Sequence, residues 1–228
     1  MGKKKSKKMR SHVQIGEAAA LEMPLASPVK AKTPASALVV PTPPLSRLYA
    51  YAIDWAVGGV VSGFPAVLLY AAVTRRNDMF SNLYTFEALG YPWAVGMVAG
   101  TLCILAAILY FVVVPLRVWP GQTLGKRIAH IKVLREDGTA AGPLCLVIRQ
   151  VLVGFLLEGS GFVVARYIRE MAVLATRVDV NYYWEIAGMV ITLISGILAL
   201  VLPSRRALHD YLARTRVVPA EGHPLYRG

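Results

Sequence analysis

Four apolar runs separated by charged connections organise the chain. Residues 48–73 hold a single charge, Asp54, and residues 92–116 hold none. Residues 144–165 are interrupted by Arg149 and Glu158, and residues 184–202 are uncharged from Ile186 onward. A helix needs roughly 20 apolar residues to cross a hydrocarbon core. The pattern therefore predicts an all-α membrane protein with four transmembrane helices. A short interfacial loop joins spans two and three, and the domain occupies residues 47–218 between a disordered tail (1–46) and a C-terminal tail (219–228).

The third run is the least apolar, since an Arg at a helix centre costs about 2.5–3.5 kcal/mol on insertion scales. Charge placement argues for it. With four spans, nineteen of the 25 Lys and Arg residues fall on the side of both termini. Cytoplasmic loops carry that excess, so both termini are expected in the cytoplasm. Aromatic belts agree: Tyr49, Tyr51 and Trp55 open span one, and Tyr182, Tyr183 and Trp184 open span four.

Composition sharpens this picture. The 228 residues are 56% hydrophobic, with a mean hydropathy of +0.51, and no connection is long enough for a sizeable soluble domain. The net charge of +12 follows from topology. It fits anionic inner-leaflet lipid as a partner; a nucleic-acid reading lacks a folded basic face with aromatic readers. Cys103 and Cys145 fall in apolar runs, which excludes a disulfide framework or a zinc site. The four histidines have no metal-ligand spacing and no Ser/His/Asp group shares a pocket, so no metal, cofactor or enzymatic activity is expected. Met1-Gly2 with Ser6 matches a myristoylation pattern, but the simpler reading is a translation start followed by a basic, Pro-rich tail.

Ionisable residues inside a bilayer are costly and mark functional candidates. Asp54 and Arg149 lie at similar depths, about 9 and 7–8 Å from their span starts at the helical rise. Their simplest role is a buried ion pair. The alternative is a cation or proton site in which Asp54 titrates and Arg149 or Arg47 tunes it. Glu158 has no basic residue of the spans at its expected depth, and reads as a hydrogen-bonded acid or a proton carrier. The Gly121-Gln-Thr-Leu-Gly-Lys126-Arg127 stretch lacks the spacing of a phosphate-binding loop; a surface turn with Lys126 and Arg127 on lipid phosphates suffices. Ile131 and Val133 alternate with basic residues as in a brief strand, turning at Asp137-Gly138. Gly59/Gly63 and Gly96/Gly100 predict close helix packing within the bundle.

Three ordered motifs carry a resemblance. Arg47-Leu-Tyr-Ala-Tyr-Ala-Ile-Asp54 opens span one, Gly121-Gln-Thr-Leu-Gly-Lys-Arg-Ile follows span two, and Leu208-His209-Asp210-Tyr-Leu-Ala-Arg214-Thr-Arg closes the domain. Together they resemble the RDD family of prokaryotic integral membrane proteins, over about residues 45–218. Arg47, Asp54 and Asp210 match its arginine and two aspartates. The resemblance implies a multi-pass protein of a prokaryotic cell membrane and a role in small-solute transport or cation/proton exchange. The alternative is a non-catalytic scaffold or accessory subunit of a membrane complex. Four short spans enclose little pathway, so a homo-oligomer or membrane partner is expected. A C-terminal segment folding back along the interface would bring Asp210 to Arg47 or Arg149. The simpler alternative is that Asp210 caps a short interfacial helix.

Overall fold

The computed structural model describes residues 42–159 and 163–220; the myristoylation pattern and nearly all of the expected tail lie outside them. The architecture is a helical bundle with a two-stranded ribbon at one end. Helix α1 spans Pro44–Thr74. It begins four residues before the expected start at Leu48 because proline suits a first helical turn, where no donor is needed. A short helix α2 (Tyr84–Ala88) leads into α3, which runs Trp93–Val118. The small helix α4 (Leu124–Ile128) precedes strand β1 (Ile131–Arg135). Then come α5 (Pro143–Leu157), α6 (Val163–Thr176), α7 (Asn181–Val201) and α8 (Leu208–Leu212), and strand β2 (Thr215–Pro219) ends the domain.

Among the described residues, α1, α3 and α7 are each long and apolar enough to cross a membrane. The third apolar run is built differently from the expected single helix. Its first helix stops at Leu157, and α6 continues to Thr176, past the expected end at 165. Arg166 and Glu170, expected in an external loop, lie on α6 as an i,i+4 pair. Glu170 also accepts the Leu83 amide at 2.9 Å, so these charges are satisfied inside the fold.

Three apolar layers follow one another along α1. At the ribbon end, Leu146 of α5 packs with Ala50, Val112 and Ile131. In the middle, Phe155 and Val164 join Phe111 and Ala107. At the far end, Tyr167 and Leu174 of α6 meet Ala66, Tyr70, Phe86 and Cys103. The α5 and α6 segments thus accompany α1 from Ala50 to Tyr70. The glycine pairs serve packing within the bundle: Gly59 and Gly63 face Val163 and Tyr167, and Gly96 and Gly100 face Leu174 and Met171.

Strand β1 pairs antiparallel with β2, from Ile131 opposite Pro219 to Arg135 opposite Thr215. The strand and its turn match the sequence pattern, with Gly138 at φ +82°. The partner strand is a departure from the all-α expectation. It brings the chain end back to the loop between α3 and α5, and Thr42 ties the entry of α1 to the same strand through the Val217 carbonyl (2.8 Å). Two helices are widened near this end. In the last turns of α3 and α5 the amides of Trp119 and Glu158 reach back five residues, to Val114 and Val153. Such wide turns are rare and often sit at functional sites.

Candidate functional site

Apart from Arg169 and Glu170 on α6, the buried charges gather at the ribbon end in three groups. The first surrounds Asp54, one face of α1. Its carboxylate accepts Tyr110 Oη and the Gly125 amide, each at 2.9 Å, Thr123 Oγ1 at 2.5 Å and Lys126 Nζ at 3.0 Å. Glycine at 125 is required by this approach: a Cβ there would overlap the Ala50 carbonyl and the Asp54 carboxyl. At Gly121, φ is +73° and a Cβ would overlap the Val133 carbonyl, so the turn before α4 also depends on glycine. The two glycines of the motif after span two therefore let the chain press Thr123 and Lys126 onto Asp54.

The second group centres on Asp210, fully buried at the start of α8. Arg47 Nη2 donates to one carboxylate oxygen at 3.0 Å, and Arg149 Nη1 donates to the other. Arg149 also holds Thr215 Oγ1 at 3.0 Å. The Ala207 amide donates to the same carboxylate at 3.1 Å, as an acidic residue in a first helical turn does at a helix start. The clasp and the cap, posed by the sequence as alternatives, are both present. Burial alone would raise the Asp210 carboxyl, but Arg149, His209 and Arg47 outweigh it and hold it well below the usual carboxylate range. One side chain thereby joins α1, α5, α8 and β2.

The third group lies where α5 ends. Glu158 accepts Ser195 Oγ at 2.5 Å and the His209 amide at 3.2 Å, and its second oxygen lies 2.7 Å from His209 Nδ1. Thr192 of α7 caps the Glu158 carbonyl at 2.5 Å. A cavity of about 320 Å³ opens beside this group, between α1, α5, α7 and α8. Its walls are mostly apolar, with Asp54, Lys126, Arg149, Glu158 and His209 reaching its surface.

The expected Asp54–Arg149 pair is not formed. Similar depth did not bring them face to face: Arg149 turns to Asp210, and Asp54 is met by Lys126 from the loop after α3. Lys126 is correspondingly drawn away from the surface, whereas Arg127 stays exposed and stacks 4.8 Å over Trp119. Glu158 is not alone, because α8 folds back and supplies His209. Sequence reasoning missed Tyr110, Thr123, Ser195 and His209 as site residues. The signal for two of them was available: Thr123 belongs to the second motif and His209 to the third, and both motifs lie on the same side of the membrane as Asp54 in the four-span arrangement. Cys103 and Cys145 are free thiols, and no metal-holding cluster occurs among the described residues.

The sequence model of the RDD family matches residues 41–214, a range that takes in Arg47, Asp54 and Asp210 and most of their partners. The chain belongs to the RDD family. No curated protein matches the chain, and no solved structure does. RDD is a family of membrane proteins, and the long apolar helices of this chain make it a multi-pass membrane protein.

Proposed function

We propose that this RDD protein is a small transporter of a prokaryotic cell membrane that exchanges a cation for protons. The observation that carries this is the cavity of about 320 Å³ at the ribbon end, with the Glu158–His209 pair on its wall. An imidazole beside a carboxylate can carry a proton and pass it on, and ionisable groups beside a cavity within a membrane protein mark transport pathways. In this reading α5 and α6 jointly make a fourth crossing, since their contacts follow α1 from one end to the other. The ribbon end then faces the cytoplasm with both termini, a placement that the distribution of basic residues supports, and exposed Arg127 meets anionic lipid there.

Asp54 and Asp210 have a supporting role. Each accepts several donors and lies against at least one cation, which suits a fastener rather than an exchange site. A second reading, that of a membrane scaffold or accessory subunit, is favoured by this saturation of the two signature aspartates. Proton flux in vesicles holding the purified full chain separates the readings. Transport requires flux driven by a cation gradient and abolished by Glu158→Gln. Asp54→Asn, run beside it, should lower the yield of folded protein more than the flux per folded molecule. A protein with no flux above empty vesicles under any cation gradient would be a scaffold.

A further inference from the structure

The charges around the cavity do not match evenly. Asp54 lies 3.0 Å from Lys126, and Asp210 is held between Arg47 and Arg149. The guanidinium groups stay protonated in proteins, and an amine is the partner of Asp54. Glu158 differs: among the described residues its ion-pair partner is His209 alone, which is cationic only when protonated. Glu158 is also nearly buried, at 7% exposure, whereas His209 is a quarter exposed and forms the polar lip of the cavity. When His209 is neutral, the cavity holds one carboxylate without a permanent counter-charge, in largely apolar surroundings.

The rest of the cavity sets the chemistry that could replace that counter-charge. Tyr51 and Phe111 supply aromatic faces, and Gly154, Gly196 and Ala199 keep the opposite walls small. No Cβ-distance obstacle stands near Gly196. A small metal ion would need several oxygen ligands in place of its water; the lining is mostly apolar, and no metal-holding cluster occurs among the described residues. An organic cation brings its own apolar surface and gains from aromatic faces as well as from the carboxylate. The volume falls at the low end of pockets that take small organic ligands, about 300–1,000 Å³.

We infer that the cavity binds a small lipophilic organic cation, whose charge rests on Glu158 in place of the protonated His209 imidazole. This rests on the exchange reading above and names its substrate class. One proton leaves His209 for water as one organic cation enters, so the charge of the site is unchanged. The other charged or titratable groups facing it are Tyr51, Arg47 and Asp54 from α1, Lys126 from α4, Arg149 from α5 and Asp210 from α8, with Asp54 and Lys126 paired to each other. From α7 come only the hydroxyls of Ser195 and Thr192, and from β2 the Thr215 hydroxyl bonded to Asp210. Of these, the arginines and Asp210 are paired with one another, which leaves His209 as the competitor.

Equilibrium dialysis of tetraphenylphosphonium against the purified full chain tests this directly. Saturable binding is expected at pH 8, at least tenfold weaker at pH 5.5, and at least tenfold weaker in Glu158→Gln. Gly196→Leu, which fills the cavity and removes no charge, should weaken binding similarly while the protein still elutes as a single species on gel filtration. Absence of binding at pH 8, or binding indifferent to both variants, overturns the inference. Sodium or potassium flux without tetraphenylphosphonium binding would also overturn it and leave cation exchange standing. Tetraphenylphosphonium binding without any proton flux would support the site and remove the transport reading.

Discussion

Asp210 lies on α8 and Glu158 is met by its neighbour His209, yet these two buried carboxylates are neutralised in opposite ways. Asp210 lies between two arginines and also receives a backbone amide and a hydroxyl. Glu158 has a hydroxyl, an amide and one imidazole. Guanidinium groups do not deprotonate in proteins, so the Asp210 contact is permanent. The charge match at Glu158 holds only while His209 is protonated. A buried charge that is always matched fastens elements together, and one that is matched only part of the time leaves room for another cation. The family signature covers the first kind; the second lies outside it.

The largest effect should come from breaking the permanent match. Asp210→Asn leaves Arg47 and Arg149 buried without a counter-charge, and removing one partner of such a group costs on the order of 3–5 kcal/mol. Thermal unfolding in detergent should show the greatest loss of Tm of any variant discussed. Arg149→Gln combined with Asp210→Asn should recover part of that loss. Arg149→Gln with Asp54→Asn should be additive within about 0.5 kcal/mol, because these two residues do not touch. Coupling in the second pair and not the first would reverse the assignment of partners.

The pH dependence follows from the same contact. The Asp210 carboxyl lies below its ordinary value in the folded protein. Its stabilisation is therefore fully present above about pH 4, the unfolded value, and is lost as pH falls towards the folded value. Tm measured downward from pH 5 should decline in the wild type. Asp210→Asn should show a shallower decline over that interval.

Asp54 offers an intermediate case, since a single lysine neutralises it and three further donors surround it. Gly125→Ala should separate α4 from α1 through overlap with the Ala50 carbonyl, at a cost of about 1–3 kcal/mol for overpacking. It would loosen Lys126 and Thr123 without altering any charge. If Gly125→Ala leaves Tm unchanged, the close approach of α4 does not organise this group.

How far the sequence disclosed these contacts depended on chain direction. Arg47 and Asp210 could be matched because both were placed at one membrane surface, and the return of the chain end needed only that. Asp54 and Arg149 misled because depth along a helix says nothing about the angle at which a side chain points. The ring of donors on Asp54 comes from a loop that turns back towards the bundle, and such a return has no periodic signature. Thr215–Pro219 escaped notice as a strand because its partner lies far off in sequence, and pairing at that range is not written in local alternation. The division of the third run into α5 and α6 was hinted at by Glu158 and Gly159, but the polar α6 was hidden by its arginines: Arg166 is met by Glu170 and the Ser81 carbonyl, and Arg169 lies against Glu185.

Glu158→Gln should affect stability far less than Asp210→Asn. The amide oxygen can still accept from Ser195 and the His209 backbone, so the loss is that of roughly one hydrogen bond, about 0.5–1.5 kcal/mol. A loss as large as that of Asp210→Asn would mean that Glu158 is a fastener too, and the contrast between the two carboxylates would collapse.

The smallest effect is expected at the far end, where Arg177 makes two well-formed hydrogen bonds to Glu87 at 2.8 and 2.9 Å. By geometry alone this pair is as good as the contact of Arg47 with Asp210. Its surroundings differ, since Arg177 is more than half exposed, and water and salt already solvate both partners. Arg177→Gln should therefore leave Tm in detergent indistinguishable from the wild type, and raising the salt concentration should make no difference between the two. A clear drop in Tm would show that α2 and the end of α6 depend on this pair. Stability would then follow hydrogen-bond geometry rather than burial, and the argument that separates Asp210 from Glu158 by how their charges are matched would need burial removed from it.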